Sequence, residues 1–128
     1  MNQIKEILNK YLTPEQIELC AMEAKSDDWG WLDKHGYVEK EYRQEQGYKI
    51  SCGHNLTEKG KEYIKKYNQR FEEIFDMYTQ EDWRKMDKGK DELRLLERTL
   101  PGNEWKKQID GLTKEERWAV RNLTALTW

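Results

Sequence analysis

The chain has only two prolines, two cysteines and two phenylalanines in 128 residues. Two cysteines cannot build a disulfide framework, so Cys20 and Cys52 are expected to be free thiols. No apolar run approaches the length of a membrane span, and no segment resembles a signal peptide. The expected location is therefore cytoplasmic. An excess of one charge sign is also missing. Residues 1–36 hold four basic and seven acidic groups, residues 37–78 eight of each, and residues 79–128 eleven and ten. The lack of a strongly basic segment counts against strong non-specific nucleic-acid binding, which rests on phosphate neutralisation, but leaves room for a local basic patch.

Chemistry-bearing motifs are scarce as well. There is no Gly-rich phosphate loop, no nucleophile elbow and no pair of carboxylates beside a histidine. No catalytic residue, no cofactor and no enzymatic activity are therefore expected. Cys20, His35, Cys52 and His54 are the only soft ligands, and they lack C-x-x-C or H-x-x-x-H spacing, so no metal site is expected either. What the chain does have is rings and charge. Aromatic residues make up 12%, including six Trp and seven Tyr, while 38% of residues are charged. A disordered chain would be poor in rings, so these point to one compact domain.

Ile4, Ile7, Leu8, Tyr11 and Leu12 predict a first helix. Thr13, Pro14 and Gln16 form the start of a second, which runs to about Lys25. Ser26 or Asp27 is expected to cap a short third helix carrying Trp29, Trp31 and Leu32, with Gly36 as its stop. Two strands follow. Val38 and Tyr42 share one face of the first, and Tyr48, Ile50 and Cys52 one face of the second. Pairing Tyr42 with Tyr48 and Val38 with Cys52 leaves Arg43 to Gly47 as the loop. Thr57 caps a long helix striped by Gly60, Ile64, Tyr67, Phe71, Ile74 and Tyr78. Thr79 and Asp82 open a short helix with Trp83 and Met86, which the run DKGK is expected to break before a further helix from Asp91 to Leu100. Asn103 is expected to cap a helix with Trp105 and Ile109, and Thr113 with Glu116 a last one.

Helices, a two-stranded hairpin and a long helix, in that order, predict a mainly α fold with a small β-hairpin: a winged helix-turn-helix-like core plus C-terminal helices. The core is expected over residues 1–78, with residues 79–128 as a helical extension that packs on it or forms a dimer interface, in a single compact domain. The run Leu32, Gly36, Tyr37, Val38, followed by Leu56, Thr57, Lys59 and Gly60, resembles the wing of MarR- and PadR-type regulators over about residues 31–67.

That resemblance implies a small DNA-binding transcription regulator. Lys40, Arg43 and Lys49 of the wing, with Lys61 and Lys65 of the long helix, would meet phosphates of double-stranded DNA. The segment before the wing supports a different reading, because it carries Asp27, Asp28, Trp29, Trp31 and Asp33, and acidic groups repel phosphates. In that reading the chain is a protein-binding module with no DNA role, such as an anti-CRISPR-like, anti-defence inhibitor encoded by a phage or mobile element. Leu123 and Trp128 are the expected contacts of a homodimer through the C-terminal helix.

Overall fold

The computed structural model describes residues 2–124, and at 41–45 and 48–52 the backbone alone. Among the described residues it is mainly α with one antiparallel two-stranded hairpin, as the sequence predicts. The elements are α1 (Gln3–Tyr11), α2 (Pro14–Ser26), α3 (Trp29–Lys34), β1 (Val38–Glu45), β2 (Tyr48–Leu56), α4 (Glu58–Met77), α5 (Gln80–Thr99), α6 (Gly102–Asp110) and α7 (Lys114–Thr124). Contacts divide them into two units. One comprises residues up to Ala24 together with Phe71 onward, and the other Lys25–Arg70. The dividing lines lie close to the C-terminal end of α2 and within α4. α1 and α2 group with the C-terminal helices rather than with the hairpin.

The helical unit is built on α5. α1 packs on α5 and α6, and α7 packs on α5. Ile4, Leu8, Leu12, Cys20, Ala21, Leu93, Leu112, Ala119, Val120 and Leu123 form one buried cluster. The expected break at DKGK does not occur: α5 is a single 20-residue helix that runs through Gly89. Glycine weakens a helix by about 1 kcal/mol relative to alanine, but here tertiary packing outweighs that cost. A Cβ at Gly89 would lie 2.6 Å from the Cβ of Tyr11, so the bare backbone is what lets α5 close on α1.

Helix ends in this unit are satisfied by short-range side-chain bonds. Thr13 N donates to Gln16 Oε1 at 3.0 Å and Gln16 N to Thr13 Oγ1 at 3.2 Å, the reciprocal box that the sequence predicts. Gln16 is itself buried and sends Nε2 to the Asp82 carbonyl at 3.3 Å, tying α2 to the start of α5. Thr79 with Asp82, and Thr113 with Glu116, make the same box. Gln108 supports the start of α1 across the chain, its Oε1 accepting from Gln3 N and Ile4 N at 3.0 and 3.3 Å. The expected cap at Asn103 is corrected. α6 starts at Gly102 with Pro101 at the cap position and no side-chain capping bond, since proline's fixed φ of −57° already sets the helical approach.

In the second unit α3 packs on β1. Asp28, rather than Ser26 or Asp27, caps α3, accepting from Trp31 N at 3.0 Å. Gly36 ends it at φ 76°, with Tyr37 N donating to Leu32 O at 2.9 Å and Gly36 N to Asp33 O at 3.1 Å. These are the paired bonds of a glycine-terminated helix.

The hairpin register differs from the expected one. Val38 pairs with Leu56, Glu41 with Gly53, Tyr42 with Ser51 and Glu45 with Tyr48. The turn is two residues, Gln46 and Gly47, at φ 49° and 84°. Two successive positive φ values twist a turn to match paired strands, so pairing continues to its edge. Cys52 is the extra residue of a bulge, followed by Gly53 at φ 132°. The expected register fails first at the turn, where Tyr48 pairs with Glu45 rather than Tyr42 because the loop is two residues and not five, and the inserted residue of the bulge then shifts the remaining pairs by one more.

The joint between hairpin and α4 rests on Thr57. Its amide donates to Tyr37 O at 3.1 Å, its hydroxyl donates to Gly36 O at 2.7 Å, and the same oxygen accepts from Gly60 N at 3.0 Å. Gly60 is buried against this crossing, where any Cβ would collide with the Tyr37 carbonyl oxygen. Of the stripe expected along α4, Ile74 is fully buried but Ile64 is 39% exposed.

Replacing either helical glycine by alanine normally raises helix stability. Here Gly60→Ala and Gly89→Ala are each expected to lower it by about 1–3 kcal/mol through overpacking. Denaturant midpoints by circular dichroism check this, and a raised midpoint in both variants would contradict the close approaches.

Candidate functional site

α3 spans six residues, about 9 Å of helix axis. α3 and the two residues before it hold Asp27, Asp28, Trp29, Trp31 and Asp33, five of the seven residues expected at a protein interface. Asp27 and Asp33 are exposed. Asp28 is committed to the cap. Trp29 stacks on His54 of β2 with ring centroids 4.7 Å apart, yet remains 55% exposed. Trp31 points into a ring cluster instead. It stacks on His35 at 4.3 Å and lies 5.6 Å from Tyr37 and 5.9 Å from Tyr63, while Tyr37 and Tyr63 stack at 4.5 Å.

Two lysines complete the cluster. Lys25 lies 5.6 Å from the Trp31 ring centroid, and Lys59 lies 5.2 Å from that of Tyr37 while donating to the His35 carbonyl at 2.9 Å. Each is an ammonium over a ring face, an arrangement that holds the lysine by attraction to the ring quadrupole. Trp31 and His35 are four apart, a spacing that places them on one helical face and is readable in the sequence. The Tyr37–Tyr63 stack joins distant positions, and nothing in local periodicity points to it.

The expected phosphate contacts are spread along the hairpin and α4. Lys40 is exposed, opposite His54 in the ladder. Arg43 and Lys49 pair with Ile50 and Gln44 through the backbone, and their side chains lie outside the described residues. Lys61 is exposed and bonds Glu58 at 3.2 Å, and Lys65 is exposed. The Lys61–Glu58 pair is solvated on both sides and contributes little to stability.

Leu123 is corrected: at 2% exposure it belongs to the core of the helical unit, together with Leu112, Ala119 and Val120. The apolar side of α7 is therefore already occupied within its own unit. Trp128 lies outside the described residues.

Among the described residues, no group of three His, Cys, Asp or Glu side chains is placed to hold a metal ion, and no helix is long and apolar enough to cross a membrane. Cys20 is buried, with its sulfur 3.9 Å from that of Met86. Burial pushes its thiol up from 9.0 to about 12; the carboxylate of Glu23 adds to this, and Lys90 opposes it. Just beyond α4, Tyr78 donates to Glu15 Oε2 at 2.6 Å, a bond that holds the phenol above its ordinary range.

A scan against protein-family models, a search of curated proteins and a search of solved structures each return no match for this chain.

The Cys20 thiol sets a pH dependence. Unfolded chains ionise this group near 9.0, whereas the folded state keeps it protonated to about 12. Stability present below pH 9 is therefore lost as pH rises through that window, with a slope of about 1.4 kcal/mol per pH unit from this group. Cys20→Ala should show a shallower fall of melting temperature between about pH 9 and 11 than the parent chain. Parallel curves would sink the assignment.

Proposed function

We propose that this chain is a protein-binding module whose contact surface is α3 with the adjoining end of the hairpin. Trp29 is the anchor, and Asp27 and Asp33 are its acidic surround. The observation that carries this reading is the 55% exposure of Trp29 on a surface already preorganised by stacking on His54. Tryptophan is enriched among the residues that dominate binding energy at protein interfaces. A ring held against a neighbour loses little side-chain freedom when a partner covers it. The chemistry of the surround selects a partner with basic groups, and it disfavours a phosphate backbone beside α3.

A second reading, a winged-helix DNA-binding regulator, draws on Lys40 and Lys65, both exposed, and on the resemblance around Thr57 and Gly60. The Lys25–Arg70 unit carries ten basic and eight acidic residues, a small positive excess in a chain of net charge −2. In that reading Lys40, Arg43 and Lys49 contact the duplex together with Lys61 and Lys65.

One pair of measurements separates the two. A photo-cross-linking residue at position 29 should yield a discrete protein adduct in the source cell, and the double variant Trp29→Ala/Asp33→Lys should weaken the isolated complex by about a hundredfold, the scale of a lost anchor. Labelled duplex DNA titrated at about 50 and 200 mM salt should show no steep salt-dependent binding. If duplex binding is salt-sensitive and falls in Arg43→Ala/Lys49→Ala, the protein-binding reading is wrong and the regulator reading stands.

A further inference from the structure

The hairpin is a sheet with two open edges. Among the described residues no third strand joins β1 and β2, so each has one edge with no strand beside it. Such an edge is a template for another chain, and folded proteins blunt it with charge, proline or a bulge. The two edges here are blunted unequally. β1 carries Glu39, Lys40, Glu41, Arg43 and Glu45 among its eight residues, and α3 packs on it. β2 carries a single charge, Lys49, among nine, and opens with the strand-favouring Tyr48 and Ile50. Neither strand holds a proline.

The turn decides which main-chain groups face outward. With a two-residue turn, the residues that flank it form a hydrogen-bonded pair, and such pairs alternate along the ladder with non-hydrogen-bonded ones. Glu45 and Tyr48 flank Gln46 and Gly47, so Arg43 with Ile50 is the next bonded pair. Gln44 with Lys49 and Tyr42 with Ser51 are the non-bonded pairs. The N–H and C=O groups of Lys49 and Ser51 therefore point away from β1. Beyond them the bulge at Cys52 and Gly53 bends the strand. The straight edge is thus confined to Tyr48–Cys52.

We propose that the outer edge of β2 pairs with the same edge of a second copy of this chain, antiparallel about a twofold axis at Ile50. This register keeps both outward residues of each copy paired within the straight stretch. Lys49 lies opposite Ser51 of the second copy, and Ser51 opposite its Lys49, each pair exchanging N–H···O bonds both ways. Ile50 meets Ile50 of the second copy as the non-hydrogen-bonded pair between them. Charge selects a like partner for this edge and not for the other. On β2 no like charges stand directly opposite, and an apolar pair sits on the axis. The same operation on β1, about Arg43, would set arginine against arginine and Glu41 against Glu45, which is destabilising. Because the contact is isologous it closes on itself, giving a dimer with a four-stranded sheet rather than a filament. So short a contact buries less than a permanent interface, and the dimer dissociates on dilution. It does not depend on the partner of α3.

The test is sedimentation velocity of the full chain over about a hundredfold dilution range, which should show a dimer giving way to monomer. Ser51→Pro removes an N–H that β1 does not use. It should keep the circular dichroism and melting temperature of the parent while weakening the dimer by at least about thirtyfold. Ile50→Cys in a Cys52→Ser chain tests the register without relying on that variant. Non-hydrogen-bonded partners stand about 4.5 Å apart between Cα atoms, within reach of a disulfide. Under native conditions with diamide as oxidant it should form a covalent dimer, and Arg43→Cys in the same background should not. The proposal is overturned if the parent chain is monomeric throughout the range, if Ser51→Pro dimerises as strongly as the parent, or if both cysteine positions cross-link equally.

Discussion

Each unit depends on a helix that comes closer to its neighbour than any side chain would allow. At Gly60 the backbone of α4 lies against the Tyr37 carbonyl, and at Gly89 that of α5 lies against Tyr11. Packed interiors have few voids, so removing one Cβ from a crossing point changes which surfaces can meet. In the hairpin unit this closeness lets Thr57 bond at once to Gly36, Tyr37 and Gly60. The start of β1, the end of β2 and the start of α4 are thereby fixed at one point. The stacking of Trp31, His35, Tyr37 and Tyr63 and the position of Lys59 follow from that joint, because Tyr37 and Lys59 are its immediate neighbours.

Much of the local structure was legible in the sequence because it rests on short-range chemistry. The boxes at Thr13 and Gln16, Thr79 and Asp82, and Thr113 and Glu116 each need only residues three apart, and all three form. Gly36 ends α3 for an equally local reason, its positive φ. The misreadings have a common origin. Gly89 was read as a helix breaker from intrinsic propensity, but its role is set by Tyr11, 78 positions away. Alternation alone predicts a five-residue loop, but the two-residue turn at Gln46 and Gly47 pairs Tyr48 with Glu45, and the bulge at Cys52 adds a further shift. Information about distant partners, or about an inserted residue, is not carried by a residue's own preference.

The candidate surfaces were legible to different degrees. Asp27, Trp29 and Asp33 stand out as an acidic, ring-bearing segment, and the structure adds the partner that composition does not reveal, His54 beneath Trp29. Leu123 was misassigned because an apolar stripe on a terminal helix looks the same whether it faces its own core or a second chain. The burial of Leu112, Ala119, Val120 and Leu123 in one cluster decides between the two.

Charge in this chain is therefore best understood by what each group is already bonded to. Lys61 is among the residues expected to meet phosphates and Lys59 lies two positions before it, but Lys59 is bonded to the His35 carbonyl and Lys61 to Glu58. A lysine can leave an exposed carboxylate for a phosphate at little cost, since such a pair is nearly isoenergetic with water. Lys59 differs, because leaving would give up both a carbonyl bond and a ring contact at the joint on which the hairpin depends. On α7 the relation is reversed. The bonds of Arg117 to Asp110 and Leu112 go to main-chain carbonyls, which orient the guanidinium without neutralising it. A cation oriented but not neutralised retains its full attraction for an anion and loses less entropy on binding one. That physical distinction, rather than the number of lysines and arginines, sets Arg117 apart from Lys59 and Lys61 of α4.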